Sequence, residues 1–157
     1  MAAALSRQHP RDLFDIGLML EDERADATLW QTFLVYLTCS PKPAWELLAP
    51  REPVDFEAIF DSHFKGMTAK PMTVVQLLEN RAHLLRWISK KLDKPSCDFL
   101  WSVEDEQPDF ALIELEGAAA LPGVGRKLQN LTRRSKAKRQ ADRHELEQVL
   151  ARIASDA

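Results

Sequence analysis

The sequence predicts an all-α protein, built as an irregular bundle of several helices. Apolar residues recur at the i, i+3 and i+4 spacing that gives a helix one buried face. No segment alternates apolar and polar residues as a half-buried strand does, and only five glycines interrupt the chain. With 157 residues, 45% hydrophobic and 29% charged, the chain has the size and composition of one folded domain. We therefore expect a single helical domain over residues 1–157.

The first half of the chain predicts three full helices and one short one. A helix begins at Pro10, because proline suits the first helical position and acids there favour the positive end of the helix dipole. Asp26 can cap a second helix over residues 26–38, whose apolar residues form a stripe. The four prolines between residues 40 and 53 predict a connection around one short helical piece. A third full helix is expected over Asp55–Phe64.

The second half contains the clearest helix-start signal. Thr73 and Gln76 have the spacing of a capping box, in which both side chains satisfy exposed amides at a helix start. That helix should run to about Leu92 with its charged residues facing water, namely Glu79, Arg81, Arg86, Lys90 and Lys91. Phe99–Trp101 is expected in a further short helix. Leu121–Gly125 is expected to break the chain before its basic tail.

Charge is distributed unevenly along the chain. Residues 1–125 hold 12 of the 21 Lys+Arg and 20 of the 24 Asp+Glu, a net charge of −8. The tail, residues 126–157, forms one interrupted helix or two successive helices and opens with a basic run that contains no acid. This run predicts phosphate contacts with nucleic acid, although a solvated helix face can also be basic. The candidate nucleic-acid-binding residues are Arg126, Lys127, Arg133, Arg134, Lys136, Lys138 and Arg139.

Several classes of site find no support in the sequence. Cys39 and Cys97 lie far apart without the spacing of a zinc site or of a disulfide framework. The four histidines also lack metal-ligand spacing, so we expect no metal and no cofactor in this chain alone. No run reaches the roughly 18 apolar residues of a membrane span, and the first residues do not resemble a signal peptide. We therefore expect a cytoplasmic protein without membrane contact.

Two carboxylates stand out in the stretch RQHPRDLFDIGLML, Arg7–Leu20. Asp12 and Asp15 are three residues apart in the first turns of the predicted helix. Acids at a helix start gain about 0.3–1 kcal/mol from the helix dipole, which alone can explain both. The functional alternative uses the i, i+3 spacing, which places both carboxylates on one face, where they can order a catalytic lysine or water, or accept a proton. His9 precedes Pro10 and is expected beside Asp12.

The same stretch resembles the C-terminal signature of the AbiEii/AbiGii-type nucleotidyltransferase toxins of bacterial abortive-infection and toxin–antitoxin systems. Residues 11–16, RDLFDI, look like the DxxDL element of that family. Three later segments resemble the helical remainder that follows it: Phe33–Leu37, Phe99–Ser102 and Leu121–Leu131. Together these segments span nearly the whole chain, and the first of them is the specific motif.

The resemblance implies a divided active site. In the family, a polymerase-β-like domain with a glycine-rich loop and a DxD pair of acids for Mg²⁺ precedes this region, and this sequence contains neither. A KLxA element normally carries a catalytic lysine, and its end aligns with Met1–Leu5, which places the lysine directly before Met1. Asp12 and Asp15 are then catalytic residues by resemblance. Mg²⁺, an NTP, an RNA acceptor and a cognate antitoxin are implied for the full protein.

This resemblance predicts the C-terminal portion of a nucleotidyltransferase, present as a truncated product, a fragment or a subunit that needs an N-terminal half. Without the metal-binding acids and the lysine, the chain alone is not expected to catalyse transfer. The main alternative is a non-catalytic helical module that binds a protein partner, or nucleic acid through its basic tail. Self-association through an uncovered apolar face would favour the nucleotidyltransferase portion, and a clean monomer would favour the non-catalytic module. A complete small enzyme using Asp12, Asp15 and His9 is the third possibility.

Overall fold

The computed structural model of the protein describes residues 1–21 and 27–155. The all-α prediction is confirmed, because these ranges contain helices and no strand. The α-helices are α1 Ala2–Arg7, α2 Pro10–Glu21, α3 Ala27–Cys39, α4 Ala44–Leu48, α5 Phe56–His63, α6 Val74–Lys91, α7 Lys94–Glu104, α8 Pro122–Thr132 and α9 Lys136–Ser155. Two short 3₁₀ segments, Phe110–Ile113 and Glu116–Ala120, connect α7 to α8.

Most predicted helices lie where the sequence placed them. Helix α2 begins at Pro10 and α6 begins after Thr73, whose hydroxyl accepts from the amide of Gln76 at 3.2 Å. The Gln76 side chain accepts from the Thr73 amide at 2.9 Å, so the capping box is confirmed. Asp26, the expected cap of α3, lies outside the described residues. The sequence did not predict α1, because six residues are too few to show a helical period.

The core forms where these helices bury their leucines and phenylalanines. Helix α2 lies along α6, and α4 packs between α1 and α9. The largest fully buried apolar side chains come from α2, α3, α4, α6, α7, α8 and α9, namely Leu13, Leu34, Leu37, Leu47, Leu77, Leu84, Ile88, Phe99, Leu100, Leu131 and Leu146. None of the helices in the described ranges combines the length and the apolar character that a membrane crossing requires.

Helices α2 and α6 approach closely at Gly17. A Cβ added to Gly17 would lie 2.7 Å from Cγ of Asn80, whose side-chain amide donates to the Leu13 carbonyl at 3.2 Å. We expect Gly17→Ala to lower the free energy of unfolding by about 1–3 kcal/mol, because the methyl group must displace this bonded amide. Chemical denaturation measures the change.

Gly125 provides the matched control for this substitution. It lies in α8, and an added Cβ would meet no atom within 4 Å. Gly125→Ala should therefore stabilise the protein by about 0.5–1 kcal/mol through helix propensity. Equal effects of the two substitutions would contradict the close packing inferred at Gly17.

Arg81 corrects the expectation that the charged residues of α6 face water. Its side chain is buried and donates to Gln8 Oε1 at 2.5 Å, to Glu52 Oε1 at 3.0 Å and to the Pro50 carbonyl at 2.9 Å. Arg81 lies on the same stripe as Leu77 and Leu84, so helical periodicity alone would have placed it inside. Its charge was taken as a sign of exposure, whereas the proline-rich connection before α5 covers it.

The segment Leu121–Gly125 is a helix start and not a break. Pro122 takes the first position of α8, where the missing amide costs nothing. Gly123 allows α8 to approach α3, because a Cβ there would lie 2.9 Å from Sγ of Cys39.

The tail consists of two helices, α8 and α9, with the interruption at residues 133–135. The helix predicted around Phe99–Trp101 is longer than expected, since α7 spans Lys94–Glu104.

Candidate functional site

Asp12 lies in the first turn of α2 with 16% of its side chain exposed. Its Oδ1 accepts a hydrogen bond from Nη2 of Arg7 at 2.8 Å. Its Oδ2 is buried, and no donor within the described residues bonds to it. A buried acceptor without a partner costs about 1–3 kcal/mol, so such atoms usually have a functional or structural explanation. Asp12 therefore offers one carboxylate oxygen to a donor from elsewhere.

Helix α1 brings the start of the chain close to this carboxylate. Burial lowers the pKa of the Met1 amino group, and the negative charge of Asp12 opposes that effect. The ammonium group of Met1 and the Asp12 carboxylate therefore interact electrostatically. A cation on the N-terminal side of α1 is thus favourably placed relative to Asp12.

Asp15 and His9 do not join Asp12 in a hydrogen-bonded cluster within the described residues. Asp15 is exposed on the next turn of α2. Nδ1 of His9 accepts from the Arg11 amide at 3.2 Å, and the imidazole ring lies edge-on to His63 with centroids 6.4 Å apart. The structure therefore gives Asp12 an arginine partner from α1 where the sequence suggested His9.

The described part of the chain does not fit a magnesium site. Within residues 1–21 and 27–155, no three carboxylates, histidines or cysteines converge closely enough to hold a metal ion. One oxygen of Asp12 is already bonded to an arginine, a competing cation. Mg²⁺ prefers several oxygen ligands in octahedral geometry. We therefore assign no metal-dependent step to the residues that the structure describes.

Three of the seven basic candidates form a free surface. Arg126, Arg133 and Lys136 are exposed and make no ion pair among the described residues. On α8 the spacing i, i+3, i+4, i+7 aligns a row of exposed polar side chains. We call the following set the α8 stripe: Arg126, Gln129, Asn130, Arg133 and the adjacent Lys136.

Two further candidates are exposed but already paired. Nζ of Lys138 lies 3.0 Å from Oδ1 of Asp142, and Nη1 of Arg139 lies 2.8 Å from Oε1 of Glu106. The Arg139–Glu106 pair lies nearer the surface, where such pairs contribute little to stability, so a phosphate can compete for Arg139. Lys138 pairs with the buried carboxylate of Asp142 and is less available to a phosphate. Lys138 and Arg139 therefore extend the basic surface along α9, but their acidic partners partly neutralise the two positive charges.

Lys127 is buried and serves the fold. Its ammonium group donates to the carbonyls of Ser40 and Lys42 at 2.9 and 2.8 Å and so joins α8 to the α3–α4 connection. Burial lowers the pKa of Lys127 to about 8, and the nearby Glu104 carboxylate opposes that shift. A phosphate at the surface cannot reach this amine without disturbing α8.

Arg134 belongs to a buried ion cluster that the sequence did not reveal. Its Nη1 lies 2.7 Å from Oδ2 of Asp142 and 3.6 Å from Oε2 of Glu104. Asp142 is fully buried and also accepts from Nε1 of Trp45 at 3.2 Å. Burial raises the pKa of Glu104, while Arg134 opposes the rise. This cluster joins α4, α7 and α9 to the segment between the two tail helices.

Comparison of the chain with family models, with curated proteins and with solved structures gave no match. The geometry therefore has to carry the functional argument. Within the described residues it offers an acid in the first turn of α2 with an unpaired buried oxygen, and a partly free basic surface on α8.

The signals for the residues that the sequence missed were weak. Lys138 and Asp142 have the i, i+4 spacing of a helical ion pair, which would have marked Asp142 as a structural acid. Lys127 lies between Val124 and Leu131 on the buried stripe of α8. Arg81 likewise lies between Leu77 and Leu84 on the buried stripe of α6. In both cases the position on the helix face indicates burial and the residue type obscures it.

Proposed function

We propose that this chain is the C-terminal helical portion of an AbiEii-like nucleotidyltransferase toxin of the cytoplasm. Joined to an N-terminal catalytic half, it takes part in transfer of a nucleotide from an NTP to an RNA acceptor, and a cognate antitoxin neutralises it. The observation that carries the proposal is Asp12. This residue lies in the stretch that resembles the family signature, and it presents a buried carboxylate oxygen that has no partner among the described residues.

The role we assign to Asp12 is to hold and orient a cation. A lysine on the N-terminal side of α1 would be joined to the Met1 amino group, whose pKa already responds to the negative charge of Asp12. It could donate to Oδ2 while Arg7 keeps Oδ1 in place. A lysine fixed in this way stabilises negative charge on a transferring phosphoryl group. The Mg²⁺ and NTP sites fall on the N-terminal half in this proposal.

The first test reads the genomic frame upstream of the Met1 codon. We expect an open frame that encodes a lysine immediately before Met1, with a glycine-rich loop and DxD acids further upstream. In the extended protein, Asp12→Asn should reduce incorporation of labelled NTP into total RNA about 100-fold or more, because the lysine loses its counter-charge. Glu57→Gln, at an exposed position of α5, is the matched control for charge. A stop codon close upstream, or full activity of Asp12→Asn, would contradict the proposal.

The second test concerns the acceptor and uses the α8 stripe. Replacing Arg126, Arg133 and Lys136 with glutamine should weaken retention of RNA and reduce the slope of log affinity against log salt by about 2, since each phosphate contact on a single strand contributes about 0.7. Arg134 must stay in place, because its replacement would leave Asp142 without its partner. Filter binding across a salt series measures both quantities.

The matched control removes three other surface cations that have no ion partner in the described part of the chain. Replacing Arg86, Lys90 and Arg152 with glutamine changes the net charge equally at a distance from the α8 stripe. RNA retention should change little in this variant. An equal loss in both variants would show that overall charge, and not the α8 stripe, retains the RNA.

A further inference from the structure

A cleft of about 500 Å³ opens between α6 and α9, and neither Asp12 nor a residue of the α8 stripe is among its described lining residues. Its volume lies in the range usual for ligand pockets. Aliphatic side chains from α4, α6 and α9 line its inner part, namely Leu48, Leu85, Ile88 and Ile153. The structure thus leaves an apolar recess whose described lining includes neither Asp12 nor the basic run of residues 126–139.

The rim of this cleft is basic. Arg86 and Lys90 lie one turn apart on α6, and Arg152 faces them from α9. All three are exposed, and none has an ion partner among the described residues. The acid that the structure places at the rim, Glu52, already lies 3.0 Å from Nη1 of Arg81. The cleft therefore carries three uncompensated positive charges.

These charges contrast with their surroundings. Residues 1–125 carry a net charge of −8, yet α6 directs two free cations to this recess. Lys127, Arg134 and Arg81 are occupied by carbonyls and carboxylates within the fold. Arg86, Lys90 and Arg152 form no such side-chain bond within the part of the chain that the structure describes, so folding does not explain their position there. Unpaired cations around an apolar recess complement an anionic ligand with an apolar centre.

We infer that this cleft is a docking site for an acidic peptide segment of a protein partner, in which an aliphatic side chain lies between carboxylates. The aliphatic side chain fills the recess, and the flanking carboxylates pair with the three cations. Nucleic acid fits less well, because no aromatic side chain among the described lining residues could stack on a base. This inference stands independently of the nucleotidyltransferase proposal.

The experiment measures fluorescence anisotropy of a labelled peptide in which single leucines alternate with pairs of glutamates. Replacing Arg86, Lys90 and Arg152 with glutamine should weaken its binding about tenfold, as expected for the loss of three ion pairs at exposed positions. Replacing the leucines of the probe with serine should weaken binding several-fold, because the recess then gains no apolar contact. Thermal unfolding of the variant should match that of the parent protein, since these side chains are exposed and unpaired.

The variant with glutamine at Arg126, Arg133 and Lys136 is the control, because it loses the same charge on the α8 stripe. Peptide binding should change less than about twofold in this control, given the screening of distant charges by salt. Equal weakening in both variants, insensitivity to the leucine-to-serine change, or no binding of the peptide would overturn the inference. The inference would also be overturned if binding of a short oligouridylate depended on the cleft cations and binding of the peptide did not. The cleft would then be a nucleic-acid site.

Discussion

Replacing Asp142 with alanine is expected to lower the free energy of unfolding by about 3–5 kcal/mol. The carboxylate is fully buried and accepts from Arg134 at 2.7 Å and from Trp45 at 3.2 Å. Without it, the guanidinium group of Arg134 stays largely buried, with Glu104 at 3.6 Å as its remaining counter-charge. The cost arises from this uncompensated buried charge more than from the lost attraction. Chemical denaturation followed by circular dichroism measures it.

Asp105 offers a matched control for this substitution. It directly follows α7 and pairs with Arg143 of α9, but both side chains are about half exposed. Asp105→Ala should cost less than about 1 kcal/mol, because solvent screens the pair. The two substitutions remove the same chemical group and differ in burial. Similar losses for both would contradict the buried ion cluster.

A double substitution separates the two origins of the loss at Asp142. When Arg134→Met accompanies Asp142→Leu, the ion pair at 2.7 Å disappears and apolar side chains of similar size take its place, while Lys127 remains as a nearby positive charge for the buried Glu104. We expect the double variant to recover a large part of the stability, since replacing a buried pair with apolar residues is often neutral. A double variant as unstable as Asp142→Ala would instead indicate that packing around Trp45 sets the cost.

The helices of this protein were predictable where local chemistry specifies them. Pro10, the Thr73–Gln76 capping box and the apolar stripe of α3 each act within a few residues, so a single sequence contains the whole signal. Helix α1 was missed because it is shorter than two turns. The start of α8 was misread, since a Leu-Pro-Gly sequence suits both a break and a helix start.

The buried charges were not predictable, because their partners lie far away in the sequence. Lys127 donates to carbonyls 85 and 87 residues earlier, and Trp45 donates to Asp142 across 97 residues. Local pattern can show that Lys127 lies on a buried face, but it cannot supply the carbonyls that make burial tolerable. Part of the basic run therefore looked like a surface although it stabilises the fold.

The candidate site was also only partly predictable from the sequence. The i, i+3 spacing of Asp12 and Asp15 drew attention to α2 from the sequence alone. The structure adds the difference between them. Asp12 is held by Arg7 and has a buried oxygen that no described residue bonds to, while Asp15 is exposed. The cleft between α6 and α9 left no sequence signal, because Arg86 and Arg152 meet only through the tertiary fold.

Stability should rise with pH between about 8 and 10.5 because of Lys127. Its pKa is about 8 in the folded protein and 10.5 in the unfolded chain. Below pH 8 both states bind the proton, and the folded state bears the cost of burying the charge. Between the two pKa values the unfolded chain holds a proton that the folded protein has released, so raising the pH favours folding. The full shift corresponds to about 3 kcal/mol.

Other titrating groups also change the free energy of unfolding with pH, so the contribution of Lys127 must be measured as a difference between the parent protein and a variant. Burial raises the pKa of the Cys39 and Cys97 thiols above 9.0, so their contribution to stability falls as pH rises past 9. Burial also raises the pKa of Glu104, which lowers stability as pH rises from 4.5 through its folded value. The interval from pH 8 to 9 lies between these windows, and we expect a gain of about 1 kcal/mol there.

Lys127→Met is the variant that isolates this contribution. Methionine matches the length of the lysine stem without its charge, although it leaves the carbonyls of Ser40 and Lys42 without their donor. The loss of this donor does not depend on pH. The variant also has no ammonium group at position 127, so it releases no proton there as the pH rises. The difference in unfolding free energy between the parent protein and the variant should therefore grow in favour of the parent from pH 8 to 9. A difference that stays constant would show that Lys127 keeps an ordinary pKa and that solvent reaches its amine.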